Sequence, residues 1–375
     1  MMHLQKTSRR EFLALAVGSV GGTLASASLQ SKDKSFGLKY IVASSMYGRM
    51  KLSEILPEVR KAGAEYIDIW PEGHANQREQ IQDMGHRQFA AMLKQHRVKL
   101  GILTRYDLGP LGLKGEMLAA RKLGGSMVIC GSRGPGNLKG DSLKAAVKNF
   151  IEKMKPQISS AEDIGITIGI ENHGNSLIQS PDSMRWFAEF TDSRRIGIAL
   201  APYHMPQEPA LIARLIADLD KNLVHFYAWQ YGAGCHKKLP KEQELLQLPG
   251  RGGLDFEPIV SALKKIDYGG WTEVFMHPVP RGIPILPTAT QVTAEINRAC
   301  SYLGGCLAKV SAYEFYVSAD GQKWGAPAAK GVFDKNSELK KIRLTEPVEA
   351  RFLRFVAKDG FGAKPFAAIA EIDIE

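Results

Sequence analysis

Eight short apolar runs, each followed by a longer amphipathic stretch, set the tightest limit on what this chain can fold into. The runs are Leu38–Ser44, Tyr66–Trp70, Lys99–Thr104, Ser126–Cys130, Thr167–Glu171, Ile196–Leu200, Leu223–Trp229 and Trp271–Met276. Most are rich in β-branched or aromatic residues and nearly continuous in hydrophobicity. Strands of that kind are buried on both faces, as in a parallel sheet covered by helices. Helical periodicity fills the intervals at Lys51–Ala62, His86–His96, Gly115–Leu123, Leu143–Ile164, Ser183–Phe190, Glu208–Leu219, Phe256–Ile266 and Thr288–Tyr302. Pro181-Asp182 and Leu254-Asp255 read as helix starts, with Asp able to cap free amides. Eight strand–helix units predict a closed α/β barrel, the (β/α)8 or TIM barrel, over 36–305, in preference to an open doubly wound sheet.

The two ends of the chain have a different texture. Ser8-Arg9-Arg10-Glu11-Phe12-Leu13 precedes an apolar, glycine-containing run from Ala14 to Leu24, and Ala25-Ser26-Ala27 offers small residues for cleavage. This layout predicts a twin-arginine-type signal peptide over 1–27, export to the periplasm or the extracellular space, and no stable membrane anchor. From about Val310 the pattern shortens to strand-like segments at Tyr313–Val317, Ala328–Phe333, Lys340–Leu344, Arg351–Ala357 and Ile369–Ile374, separated by Asp-Gly turn signals. A small all-β appendage is expected over 310–375.

The chain carries a formal charge of +10. Lys and Arg are nevertheless spread throughout and mixed with Asp and Glu, with no basic block interleaved with aromatics. A solvated basic surface is expected rather than a nucleic-acid partner. The four cysteines, Cys130, Cys235, Cys300 and Cys306, form no CxxC pair, and their spacing specifies no pairing.

In a barrel of this kind chemistry gathers where strands end and βα loops begin. The fifth run ends in Ile170-Glu171-Asn172-His173, and a carboxylate directly after Ile-Gly-Ile is unsuited to a solvated surface. If buried, it must be paired, protonated or bound to a cation. His204 follows the sixth run in Pro202-Tyr203-His204. Period-two alternation puts His225, Tyr227 and Trp229 on one face of the seventh run, and Glu273, Phe275 and His277 on one face of the eighth. Two carboxylates with imidazoles make a mixed oxygen and nitrogen donor set. It suits a divalent ion such as Mn2+, Zn2+, Co2+ or Mg2+, and residue types do not choose among them. Metal ligands expected on this basis are Glu171, His225, Glu273 and His204. Polar loop residues near the same mouth, His74, Arg105, His173, Trp229 and His277, are expected to bind substrate. The glycine-rich Gly131–Asn137 loop lacks the Lys and spacing of a P-loop.

These residues resemble the xylose isomerase-like superfamily of sugar isomerases and epimerases. The resemblance rests on Glu171-Asn172-His173, Pro202-Tyr203-His204, Val224-His225, the Pro249–Phe256 loop and Tyr268-Gly269-Gly270-Trp271. It implies a strand-5 Glu, a strand-6 Asp, a strand-7 His and a strand-8 Glu around a metal, with the two Glu also moving protons. Glu171 and Glu273 are then the catalytic pair. Ala201 stands where the strand-6 Asp is expected, and the family Glu of strand 8 often lies about two residues beyond Glu273. The tail resembles the second half of a discoidin-like (coagulation factor 5/8 C-type) sandwich, through Tyr313–Trp324 and Ala350–Phe355. The implied activity is metal-assisted proton transfer next to a carbonyl in a sugar or keto-glycoside, with a carbohydrate as the small-molecule partner and homo-oligomerisation left open. Two alternatives accompany it: a lyase acting by β-elimination on a 3-keto-glycoside, and a sugar-binding barrel that has lost its metal and its catalysis.

Overall fold

The computed structural model describes residues 36–307, 310–333, 342, 344 and 348–360. The signal-peptide expectation over 1–27 and the strand expected at Ile369–Ile374 lie outside the described residues.

Eight parallel strands close on themselves in chain order. They are β1 (Lys39–Ala43), β2 (Tyr66–Ile69), β3 (Lys99–Thr104), β4 (Met127–Gly131), β5 (Thr167–Glu171), β6 (Ile196–Leu200), β7 (Leu223–Ala228) and β8 (Trp271–Val274). Closure is completed by β8 pairing with β1, with Glu273 opposite Ile41. Among the described residues ten α-helices surround or connect them: α1 (Leu52–Lys61), α2 (Gln77–Met84), α3 (His86–His96), α4 (Lys114–Lys122), α5 (Gly140–Ile164), α6 (Pro181–Phe190), α7 (Pro209–Leu219), α8 (Lys241–Glu244), α9 (Glu257–Lys265) and α10 (Ala289–Leu307). Among the described residues no helix is long and apolar enough to cross a membrane.

The apolar runs become strands because both faces are covered. Ile168, Ile170, Ile196, Ile198 and Val128 are all fully or almost fully buried. Gly169 shares the face of Glu171 and lies two residues deeper. A Cβ there would come within 2.9 Å of Ile129 Cγ1, so glycine lets the layer beneath Glu171 close.

Three local details differ from the sequence expectation. The loop expected to carry His74 ends at Gln77, which opens α2, a helix not among the helical intervals read in the sequence. α6 is capped by Ser180 rather than Asp182: Ser180 and Ser183 satisfy each other's amides in a capping box, while Asp182 pairs with Arg185 at 3.1 Å. β8 stops at Val274, short of Met276. Beyond it the His277 backbone pairs with the buried Gln247 side chain instead of a strand, donating to Oε1 at 3.3 Å and accepting from Nε2 at 2.8 Å.

The described part of the tail is a three-stranded antiparallel sheet, ordered β10 (Ala329–Val332), β9 (Val310–Ser318), β11 (Phe352–Gly360). Four of its aromatics pair up: Tyr313 stacks on Phe333 at 4.2 Å, and Phe315 meets Phe355 at 4.9 Å. No disulfide joins any of the four cysteines.

Candidate active site

The polar side chains at the C-terminal ends of the strands fall into two levels. Tyr227 and Phe275 lie two residues nearer the mouth than His225 and Glu273 on the same strand faces, so the His–Glu pair sits behind two aromatic rings. His225 and Glu273 are completely buried, with Nε2 3.3 Å from Oε2. Asp68 of β2 joins them, also fully buried, and accepts a hydrogen bond from Thr104 Oγ1 at 2.7 Å.

Several atoms here make no aligned hydrogen bond: Asp68 Oδ1, both Glu273 oxygens, both His225 nitrogens, Tyr227 Oη and Trp70 Nε1. They nevertheless face one another, for Asp68, Glu273 and the Trp70 indole are within bonding reach. Burial, reinforced by mutual repulsion, holds the Asp68 carboxyl far above its ordinary range. Burial, then the nearby Glu171, does the same to Glu273. Burial pushes His225 down to about 3, so its ring is neutral. The deep level is therefore a cluster of groups kept uncharged by low dielectric.

Glu171 stands between the levels. It ends β5, is 3 % exposed, and its carboxyl is pushed up to about 7 by burial, against the opposing pull of His173, His225 and Arg281. Its Oε1 lies 3.4 Å from His204 Nε2, an atom with no aligned partner. The neighbouring Asn172 fixes this strand end. Its Oδ1 accepts from Ala201 N at 2.6 Å and its Nδ2 donates to Ala201 O at 3.1 Å, clamping β5 to the turn after β6.

The upper level is made of rings. His173 and His204 lie 4.2 Å apart, and His74 and His277 4.3 Å apart, centroid to centroid. Trp229 stacks on Tyr203 at 3.9 Å and presents its edge to His204 and His277. Burial and then the Arg281 charge lower His74 to about 3; burial, then His236 and Arg281, lower His204 to about 4. His277 is driven down by burial, then by the neighbouring His74 and Arg281. Trp229 and His277 are set by one residue, Gln247, whose Oε1 also accepts from Trp229 Nε1 at 3.0 Å.

Most of the residues expected from the sequence thus converge on this mouth: Glu171, His204, His74, His173, Trp229 and His277, with His225 and Glu273 one level down. Arg105 is the exception. Its guanidinium is committed to Asp107 at 2.7 Å and Glu116 at 2.5 Å, which leaves it no fork for a substrate. Asp68, Arg281 and Gln247 escaped the sequence reading. Asp68 carries the signal used for Glu273, a carboxylate inside an apolar run, and could have been found by it. Arg281 lies in the loop after β8, where no periodicity points to a face; it contacts the His74 ring.

The donors do not fit one resident metal ion. The four expected ligands arrive as two pairs, Glu171 with His204 and Glu273 with His225. The β6 position that would add an acid is Ala201, fully buried and without a donor. Among the described residues no group of three or more His, Cys, Asp or Glu is placed to hold an ion.

Comparison with known proteins bears on this geometry. A family model described as the xylose isomerase-like TIM barrel matches residues 56–287, and one described as an F5/8 type C domain matches residues 293–372. Among solved structures, the IolI protein with a binding zinc atom superposes with TM-score 0.55 at 18 % identity, over 71 % of this chain and 98 % of that one. L-ribulose 3-epimerase gives 0.54 at 18 %, over 72 % and 95 %. D-psicose 3-epimerase from Clostridium cellulolyticum H10, solved with D-tagatose, gives 0.53 at 16 %, over 72 % and 99 %. At these identities the likeness is one of fold. Comparison with curated protein sequences returns no match.

Proposed function

Because the chain belongs to the xylose isomerase-like TIM barrel family, we propose that it is a sugar isomerase or epimerase that moves a proton at a carbon next to a carbonyl. The observation that carries this is Glu171: a strand-end carboxyl, almost fully buried, poised at about 7, with an unpartnered imidazole nitrogen 3.4 Å away. A base with that poise is half ionised at neutral pH, where proton abstraction is most effective.

In this scheme Glu171 takes the proton from the C–H bond. The bond's electron pair passes into the carbonyl and forms an enolate, and the neutral imidazole of His204, 3.4 Å from Glu171, is placed to hydrogen-bond its oxygens. The neighbouring hydroxyl gives its proton to the former carbonyl oxygen through His204, and Glu171 returns the carbon-derived proton to the adjacent carbon, which completes an isomerisation. Glu273, lying behind Tyr227 and Phe275, supports the site from below and is not needed as a second base. One carboxyl open to the mouth favours a shuttle between neighbouring carbons over abstraction and return from opposite faces. No step is routed through a divalent ion, because the donor set has no place for one. The test is deuterium wash-in from D2O across a panel of ketoses and keto-glycosides. Exchange that survives Glu171→Gln, or no exchange with any sugar, would sink the proposal; Glu273→Gln is expected to keep most of it.

A second reading, a barrel that binds sugars without turning them over, is favoured by Ala201. Binding without exchange would identify it. Export by the twin-arginine route belongs to the same proposal and is checked by fractionating cells that express the full chain.

A further inference from the structure

Three rings form a series that runs out of the mouth. Trp229 is 2 % exposed, Tyr203 4 % and Tyr231 54 %. Tyr203 lies flat on Trp229 at 3.9 Å, and Tyr231 follows it at 5.5 Å with its plane tilted by 31°. The inner end of the series reaches Glu171. The His204 ring is 4.9 Å from Tyr203 and 5.3 Å from Trp229, and its Nε2 is 3.4 Å from Glu171 Oε1. Among the described barrel residues Tyr231 is the one Phe, Tyr or Trp that stands exposed. Its backbone is fixed all the same. Its N–H donates to Gln207 Oε1 at 2.9 Å, and Gln207 Nε2 donates to Pro202 O at 2.8 Å and to Met205 O at 2.9 Å. The preceding residue, Gln230, is tied through both its backbone and its side chain. Its N–H donates to Gln247 O at 3.0 Å, its Nε2 donates to Leu248 O at 2.6 Å, and its Oε1 accepts from Leu254 N at 2.7 Å. Leu246, next to Gln247, adds a second exposed apolar side chain to this rim. A large ring left in water on a backbone so well tied is arranged for contact.

We propose that the mouth has a subsite for a second sugar ring, with Tyr231 as its platform, and that the substrates are glycosides of two or more units. The inference rests on the proton-transfer reading for the chemistry of the inner sugar, and on the ring series alone for the outer one. A pyranose ring turns its axial C–H bonds to an apolar face, while its hydroxyls project from the rim. That face matches an aromatic ring, which supplies apolar area with little loss of conformational freedom. Trp229 and Tyr203 are buried against each other and against His204, so neither has an open face for an outer unit. Tyr231 meets Tyr203 on one side and leaves more than half of itself open. Ring-to-ring steps of 4.9 and 5.5 Å lead from His204 to Tyr231, a path that a glycosidically linked neighbour follows from a sugar held at Glu171. A second copy of the chain would need a broad apolar patch, whereas Tyr231 and Leu246 make a small one on the lip of a polar mouth.

The test is titration calorimetry of the full chain with D-glucose, cellobiose and maltose, and with D-fructose, turanose and lactulose. At least one disaccharide should bind about tenfold tighter than the monosaccharide of its reducing end. Tyr231→Ala should erase that margin. Tyr231→Phe and Tyr231→Trp should keep it, because a stacked face needs the ring and not the hydroxyl. No disaccharide margin in the unsubstituted chain, a margin that survives Tyr231→Ala, or one lost as fully in Tyr231→Phe as in Tyr231→Ala overturns the inference. If ketoses exchange deuterium while no disaccharide gains affinity, the subsite fails and the proton-transfer reading stands. If a disaccharide margin follows the Tyr231 ring while no sugar exchanges, the subsite stands and the proton-transfer reading fails.

Discussion

Glu171 is the residue on which the chemistry turns, and its ionisation sets two expectations. As a base it must be deprotonated, so exchange should rise about tenfold per pH unit up to about 7 and then level off. Glu171→Gln should lower the plateau by about 10²–10⁴-fold. Stability runs in the opposite sense. The folded carboxyl has its pKa raised from 4.5 to about 7, so its contribution is complete below 4.5 and is lost as pH rises through 7. Relative to Glu171→Gln, the native protein should therefore lose about 3 kcal/mol between those limits, measured by denaturant titration at several pH values. Glu171 and His225 were legible in the sequence because an acid or imidazole inside an apolar run has few harmless explanations. Asp68 obeys the same logic. Arg105 misled because its sign and its place after a strand are visible in a sequence, while the Glu116 that neutralises it sits on a helix eleven residues away.

At the scale of elements, the site is held by amides that pair with backbone where the ladder ends. Asn172→Ala would orphan both the N–H and the C=O of Ala201, costing about 2–4 kcal/mol, and should lower exchange by freeing the end of β5. Gln247→Ala should cost a similar amount and act chiefly on binding, because it releases Trp229 and His277 together while leaving Glu171 in place. A rise in KM with kcat preserved is the expected signature; a fall in kcat alone would contradict it. The strands were legible from their continuous hydrophobicity. Their last residues were not, because Val274 ends β8 through a side chain contributed from the loop after β7. Neither Gln247 nor Asn172 has a pattern of its own, since each is defined by a backbone partner that only the closed barrel supplies.

At the scale of the molecule, the closed barrel and the three-stranded sheet are separate solutions to burying apolar surface. The sequence separated them by the change from long alternating units to short strand-like segments near Val310. What it could not convey is the depth of a side chain in the barrel. Period two tells that Glu273 and Phe275 share a face, and closure decides that the aromatic lies outermost. That inversion underlies the expectation that protein purified without chelator carries well under one equivalent of manganese, zinc or cobalt per chain, and that chelator leaves exchange unchanged. Elemental analysis showing one tightly held ion per chain would refute it.

The ring arrangement also makes the mouth its own spectroscopic probe. Trp229 lies flat on Tyr203 with its edge toward His204 and His277, and Trp70 stacks on Phe275 at 4.9 Å with its edge toward His277 at 6.1 Å. An indole in such an asymmetric setting gives strong near-ultraviolet dichroism, and its emission is quenched when a neighbouring imidazole gains a proton. A ligand that displaces water from these rings would register as a change in tryptophan emission, so occupancy can be followed optically without any label or turnover assay.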